Sequence, residues 1–251
     1  MSPRGPRSSR DLPDLAPLIN HALLDPYQGA EAVLRCCDEA RHFGFRAVCL
    51  SSRWLAAARE RLPPGSSVRL ISVVGFPFGA VPARIKWAEA EAAAEAGADE
   101  LDVVPDFGAL ADHDGNALLE DLAPITALGL PVKVIVESGR LEPEDLQLLV
   151  EVSLDAGASY LKTGSGFGPP TTPFQVERLR QLTRGRAGIE AAGGIAELHQ
   201  ALDLVAAGAA CLGTSRGVAL MRALRHAGAA GSSPAEARPG PRSINPEASQ
   251  N

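Results

Sequence analysis

Four times along the chain a helix-forming stretch ends in Gly and a short apolar strand follows at once. The copies read Phe43-Gly44-Phe45-Arg46-Ala47-Val48-Cys49-Leu50, Ala96-Gly97-Ala98-Asp99-Glu100-Leu101-Asp102-Val103-Val104, Ala156-Gly157-Ala158-Ser159-Tyr160-Leu161-Lys162 and Ala207-Gly208-Ala209-Ala210-Cys211-Leu212-Gly213. Gly at that place fits the left-handed cap that stops a helix. By subtraction of their numbers the glycines stand 53, 60 and 51 residues apart. Each interval holds two strand–helix units of roughly 25–30 residues. The strands between the copies fall at 68–76, 131–137 and 188–192, and residues 17–23 supply the first and least patterned one. Helices are expected at 30–42, 54–61, 82–96, 117–128, 143–156, 173–184, 196–207 and 216–226. Continuous apolar strands alternating with helices predict a parallel sheet covered on its outside. Eight such units predict an α/β chain folded as a single-domain (β/α)8 TIM barrel over residues 11–227. A doubly wound open sheet is the alternative, but no GxGxxG turn follows the first strand and no P-loop is present. Segments 1–10 (Arg, Pro, Ser) and 228–251 (Gly, Ser, Pro, Ala) lack a periodic apolar face and are expected to be disordered.

Composition excludes several classes of function. The chain has 251 residues, a formal charge of −6 and 45% hydrophobic residues, enough for a sizeable core. No apolar run approaches the roughly 18 residues of a membrane span. The first fourteen residues contain no apolar signal segment. Excess acid argues against nucleic acid as a partner. The four Cys (Cys36, Cys37, Cys49, Cys211) and five His show no metal-ligand spacing. The expectation is a reduced, cytoplasmic protein without a metal.

Of 24 basic residues only Lys86, Lys133 and Lys162 are lysines. Arg stays charged and forms no imine, whereas Lys can be desolvated and made nucleophilic. Lys133 and Lys162 follow apolar runs on expected strands, where an unpaired charge is costly to bury. Each reads either as half of a structural ion pair, with Asp102 or Glu190, or as a functional amine. Lys86, beside Arg84 on an expected helix, reads as a solvated surface charge. Barrel enzymes place their chemistry at the C-terminal ends of the strands. Those ends offer Cys49, Asp102, Lys133, Glu137, Lys162 and Glu190. Asp102 is either a salt-bridge partner or a general acid/base beside a lysine. Cys49 reads as a small buried hydrophobe or a substrate contact, and Glu137 as a loop anchor. Gly164-Ser165-Gly166, Gly193-Gly194 and Gly213-Thr214-Ser215 end three consecutive strands, and Arg216 follows the last. They are either tight turns or a cradle of N–H groups and hydroxyls for a phosphate. The expected partner is a small phosphorylated sugar or aldehyde.

These segments, in this order, resemble the deoxyribose-phosphate aldolase family of class I aldolases. The resemblance is carried by Ile19-Asn20-His21-Ala22-Leu23-Leu24, Val73-Val74-Gly75-Phe76-Pro77, 97–104, 132–137, Leu161-Lys162-Thr163-Gly164-Ser165-Gly166-Phe167, Ala192-Gly193-Gly194-Ile195 and Gly213-Thr214-Ser215. It implies reversible cleavage of 2-deoxyribose 5-phosphate to acetaldehyde and glyceraldehyde 3-phosphate without a cofactor. By position it implies that Lys162 forms the Schiff base and that Asp102 relays protons. Lys133 would add positive charge that disfavours protonated Lys162. Gly166, Gly193, Gly194 and Ser215 would hold the phosphate, with Gly213 and Arg216 beside them. A homodimer is the expected assembly, although no decisive patch marks it.

The chain departs from the family pattern at the barrel mouth. Glu190 stands where the family has a second lysine in a Lys-x-x-Gly-Gly pattern, Asn20 where it has Asp, and Ala22 where it has Thr. The tail, residues 228–251, has no Tyr, a residue that assists catalysis in some members. A carboxylate at 190 would raise a nearby lysine's pKa by roughly 1–3 units. Burial of Glu190 as the neutral acid, or its pairing with Lys133, would relieve that effect. Three functions remain open at this level: the family aldolase tolerating Glu190, a Schiff-base enzyme with another carbonyl substrate, and a sugar-phosphate binding protein.

Overall fold

The computed structural model describes residues 12–230. Its strands are β1 Ile19–Leu23, β2 Ala47–Ser51, β3 Arg69–Val74, β4 Glu100–Val103, β5 Val132–Ile135, β6 Tyr160–Lys162, β7 Gly188–Ala192 and β8 Cys211–Thr214. Neighbours pair in parallel in sequence order, and β1 also pairs with β8, so the sheet closes. The expected (β/α)8 barrel is the observed fold. Around it run α1 Ala30–Phe43, α2 Leu55–Arg61, α3 Ala83–Glu95, α4 Phe107–Ala111 and α5 Gly115–Thr126. They are followed by α6 Pro143–Asp155, α7 Pro173–Thr183, α8 Leu198–Ala206 and α9 Gly217–Ala230. All four glycines of the recurrence have φ between 69° and 101°, the region where a Cβ is unfavourable. They stop α1, α3, α6 and α8 and turn the chain into the next strand.

Strand alternation divides the interior into two compartments. Val48, Leu50, Leu101, Val103, Val132, Val134, Leu161, Ile189 and Leu212 belong to the large apolar core between strands and helices. The residues between them point into the barrel. There a small apolar cluster of Ala47, Cys49, Ile71 and Val73 faces Asn20, Glu100, Asp102, Lys133, Lys162 and Glu190, all 3% exposed or less. The outer compartment supplies apolar burial, and the inner one holds charge.

Four expectations are corrected. Pro17 lies in a 3-10 turn, Ala16–Leu18, so β1 begins only at Ile19. A short helix, α4, lies where none is expected; Asp106 caps it by accepting from the N–H groups of Gly108 and Ala109. The alanines after His226 extend α9 to Ala230. The rest of the expected tail, and segment 1–10, lie outside the described residues. Lys86 is fully buried rather than solvated. α3 packs on α5, and Lys86 Nζ donates to Asp121 Oδ2 at 2.5 Å and to the Val104 carbonyl at 3.2 Å. Asp121 also accepts from the Asp106 N–H, so this pair joins α3, α5 and the loop after β4.

Candidate active site

Register brings the inward charges together. Asp102 is paired with Lys133 across β4–β5, and Lys162 with Glu190 across β6–β7. Asp102 accepts from Lys133 Nζ through Oδ1 at 2.7 Å and from Lys162 Nζ through Oδ2 at 2.6 Å. Glu190 lies between the same amines, with Oε1 3.3 Å from Lys162 Nζ and Oε2 3.6 Å from Lys133 Nζ. Lys133 also meets Glu100 at 2.8 Å. Glu100 in turn accepts from Arg46 and Arg69. A continuous ladder of charge therefore runs from Arg69, at the start of β3, through Glu100, Lys133 and Asp102 to Lys162.

The sequence reading missed the lower half of this ladder. A signal for it was present: Glu100 is two residues before Asp102 on one strand, so both side chains share a face. In the sequence Asn20 shows only as a departure from the family pattern. Its Nδ2 donates to Glu190 Oε2 at 2.6 Å, and its Oδ1 accepts from Arg46 at 2.9 Å.

The cluster sets the ionisation of its members. Burial pushes Lys162 down, but Asp102 and then Glu190 outweigh it and hold the ammonium well above the usual lysine range. Lys133 is displaced in the same direction, with burial opposed by Asp102, Glu190 and Glu100. Burial would raise Asp102, yet Lys133 and Lys162 hold it down to about 2. Three carboxylates face Lys133, and the balance of charge around Lys162 favours its protonated form. Cys49 is buried beside Asp102, with Sγ 3.7 Å from Oδ2, and burial pushes its thiol up. It lies below the cavity floor and does not line it.

Above Lys162 opens a cavity of about 340 Å³. Its wall includes Gly166, Gly193, Gly194, Gly213, Ser215 and Arg216, together with Ala22 and Phe167. Side chains beneath the loops fix this rim. Thr163 Oγ1 donates to the Ala192 carbonyl and accepts from the Ala192 N–H, tying β6 to β7. Thr214 Oγ1 donates to the Ile195 carbonyl and accepts from the Arg216 N–H. Glu137 accepts from the Ser165 N–H at 2.6 Å, the loop-anchoring role open to it from sequence. Gly194 has φ +70°, and a Cβ there would stand 2.8 Å from Pro170, so the rim at that point requires glycine. A larger cleft, about 490 Å³, lies around Arg180, Thr183 and Gly208 and holds none of the buried lysines. Among the described residues no cluster of three His, Cys, Asp or Glu could hold a metal ion, and no helix is long and apolar enough to cross a membrane.

A buried lysine under a glycine-rimmed mouth places the chain among barrel aldolases. A solved deoxyribose phosphate aldolase from Aeropyrum pernix, a tetramer, superposes with a TM-score of 0.77 at 34% identity, covering 84% of this chain and 91% of its own. The deoxyribose-phosphate aldolase of Thermosynechococcus vestitus is 43% identical over 216 residues, 86% of this chain and 99% of the relative. That of Trichormus variabilis is 42% identical over 209 residues, 83% and 92% respectively. The chain belongs to the deoxyribose-phosphate aldolase family, whose members are carbon–carbon lyases. No family model matches it.

Proposed function

We infer that the chain is a Schiff-base aldolase that reversibly cleaves 2-deoxy-D-ribose 5-phosphate to acetaldehyde and D-glyceraldehyde 3-phosphate. One observation carries the reading: Lys162, 3% exposed, is the amine that reaches the floor of the rimmed cavity. Its imine withdraws the electron pair left when the C3–C4 bond breaks and holds it as an enamine. Asp102, bonded to both amines, orients Lys162 and offsets the charge of the protonated imine. Lys133 keeps Asp102 ionised. Gly166, Gly193, Gly194, Gly213, Ser215 and Arg216 form the phosphate end, where N–H groups, a hydroxyl and a guanidinium suit an anion. Cys49 packs beneath the floor beside Asp102. The same reading carries the remaining expectations with it: no cofactor, a homodimer, the cytoplasm, and a place in nucleotide catabolism.

Borohydride trapping with 2-deoxyribose 5-phosphate, followed by peptide mass mapping, tests it. A reduced adduct on Lys162 is expected, with a yield that rises from pH 6 to 10 as the amine loses its proton. No adduct anywhere in that range overturns the assignment. Glu190 favours a second reading, in which the same lysine serves a different carbonyl substrate, as in a specialised biosynthetic step. An adduct on Lys162 with other aldehydes or ketones but not with 2-deoxyribose 5-phosphate would establish that reading instead.

A further inference from the structure

Glu190 is fully buried, and its two oxygens are unlike. Oε2 accepts from Asn20 Nδ2 at 2.6 Å, and Cys211 Sγ lies 3.6 Å from it. Arg46 fixes the Asn20 amide by donating to its oxygen, so the NH2 must face Glu190. Oε1 accepts no hydrogen bond from the described residues. It stands 3.3 Å from Lys162 Nζ, and a Cβ on Gly213 would fall 2.5 Å from it. Gly213 lines the substrate cavity and Glu190 does not; the missing Gly213 side chain leaves room above this buried oxygen. An unsatisfied buried carboxylate oxygen is costly, and here it faces the reacting amine.

We propose that Glu190 moves the proton at the carbon next to the imine. The proposal rests on the reading that Lys162 forms an imine. In the synthetic direction Glu190 Oε1 takes a proton from the methyl group of the iminium formed by Lys162 and acetaldehyde. The C–H pair becomes the C=C bond, and the π pair of the C=N bond moves to nitrogen, leaving a neutral enamine and a glutamic acid. In cleavage the acid returns the proton to the enamine carbon. No other reactant is needed. The methyl carbon is two bonds from Nζ, roughly 2.5 Å away, so an oxygen 3.3 Å from Nζ is within reach. Asp102, the other carboxylate on Lys162, has each oxygen engaged by a lysine, so neither is free to take the proton. Asn20 is a positioning residue, since it commits Oε2 and leaves Oε1 free.

The test separates proton transfer from imine formation. Deuterium uptake into the acetaldehyde methyl group is followed by NMR in D2O, and the imine on Lys162 is quantified by borohydride trapping in parallel. Glu190→Gln is expected to trap at least as much imine as the parent chain, while exchange per trapped imine falls at least about a hundredfold. Glu190→Asp, with a shorter reach, is expected to lose about ten- to a hundredfold. Exchange per imine within about threefold of the parent in the Gln variant overturns the proposal. So does loss of imine and exchange together, which would assign Glu190 only to the lysine's electrostatics. If the Gln variant does not fold, the Asp variant decides by the same two criteria. A parent chain that traps no imine overturns the aldolase reading itself, a result distinct from any change confined to the variants.

Discussion

The rim and the floor of the barrel mouth follow different rules. The rim is built from backbone, with Gly166, Gly193, Gly194 and Gly213 spaced as the family pattern has them and held by Thr163, Thr214 and Glu137. The floor is built from side-chain charge, and there Asn20 and Glu190 depart from that pattern together. Their hydrogen bond shows why the two changes belong together. An Asp at 20 would set two carboxylates against each other at 2.6 Å, whereas the Asn amide supplies a donor. Backbone cradles tolerate little change because glycine positions have few substitutes. A charge cluster can be rewired when partners change in concert.

The largest effect expected from the floor is that of Lys162→Ala. It should abolish trapping and cleavage while leaving binding of inorganic phosphate at the rim, read by calorimetry, within about threefold. Loss of phosphate binding as well would mean that rim and floor are one unit. Next comes the paired reversal Asn20→Asp with Glu190→Lys. An ammonium at 190 repels the Lys162 charge instead of stabilising it, and the adduct at pH 7 should form about ten- to a thousandfold faster. Glu190→Lys alone should gain less, because Asn20 then presents the NH2 that suited a carboxylate. A faultlessly folded double variant that gains nothing in cleavage of 2-deoxyribose 5-phosphate would point to another substrate.

The barrel was legible because two local signals agreed: glycine stops after helices and apolar runs where strands follow. The rim was legible for the same reason, since glycine and hydroxyl residues announce themselves in the chain. The floor was only half legible. Lysine scarcity singled out Lys133 and Lys162, but their ionisation depends on carboxylates from β4 and β7. Arg46 and Glu100 lie 54 residues apart in sequence yet 2.6 Å apart in space. Lys86 misled for a related reason. A charged residue on a helix is exposed by default, and only the distant Asp121 makes its burial tolerable.

Acid titration probes the floor without mutation. Asp102, fully buried, is held down to about 2, against roughly 3.9 in an unfolded chain. Its ionic contribution, on the order of 2 kcal/mol, is complete above about pH 4 and is lost as pH falls through about 2. Urea midpoints of the parent chain should therefore decline over that window. In Asp102→Asn the decline should be shallower, from a lower starting stability, since Lys133 and Lys162 keep Glu100 and Glu190 as their remaining anions. An equal decline in both chains would place the acid-sensitive groups outside the floor.

Arg216 gives the smallest expected effect and the sharpest test of whether rim and floor act separately. It is exposed at the start of α9, with its N–H bonded to Thr214 Oγ1. An exposed guanidinium is screened by solvent, so its attraction for a substrate phosphate is worth about 1 kcal/mol. Arg216→Ala should therefore raise KM about fivefold and weaken further the dependence of KM on salt. It should leave kcat and the pH profile of adduct formation unchanged, because no charge at the floor has moved. A fall in kcat at saturating substrate would show that the phosphate end helps to align the reacting carbon over Lys162. In that case the geometry of the rim serves the chemistry of the floor as well as binding.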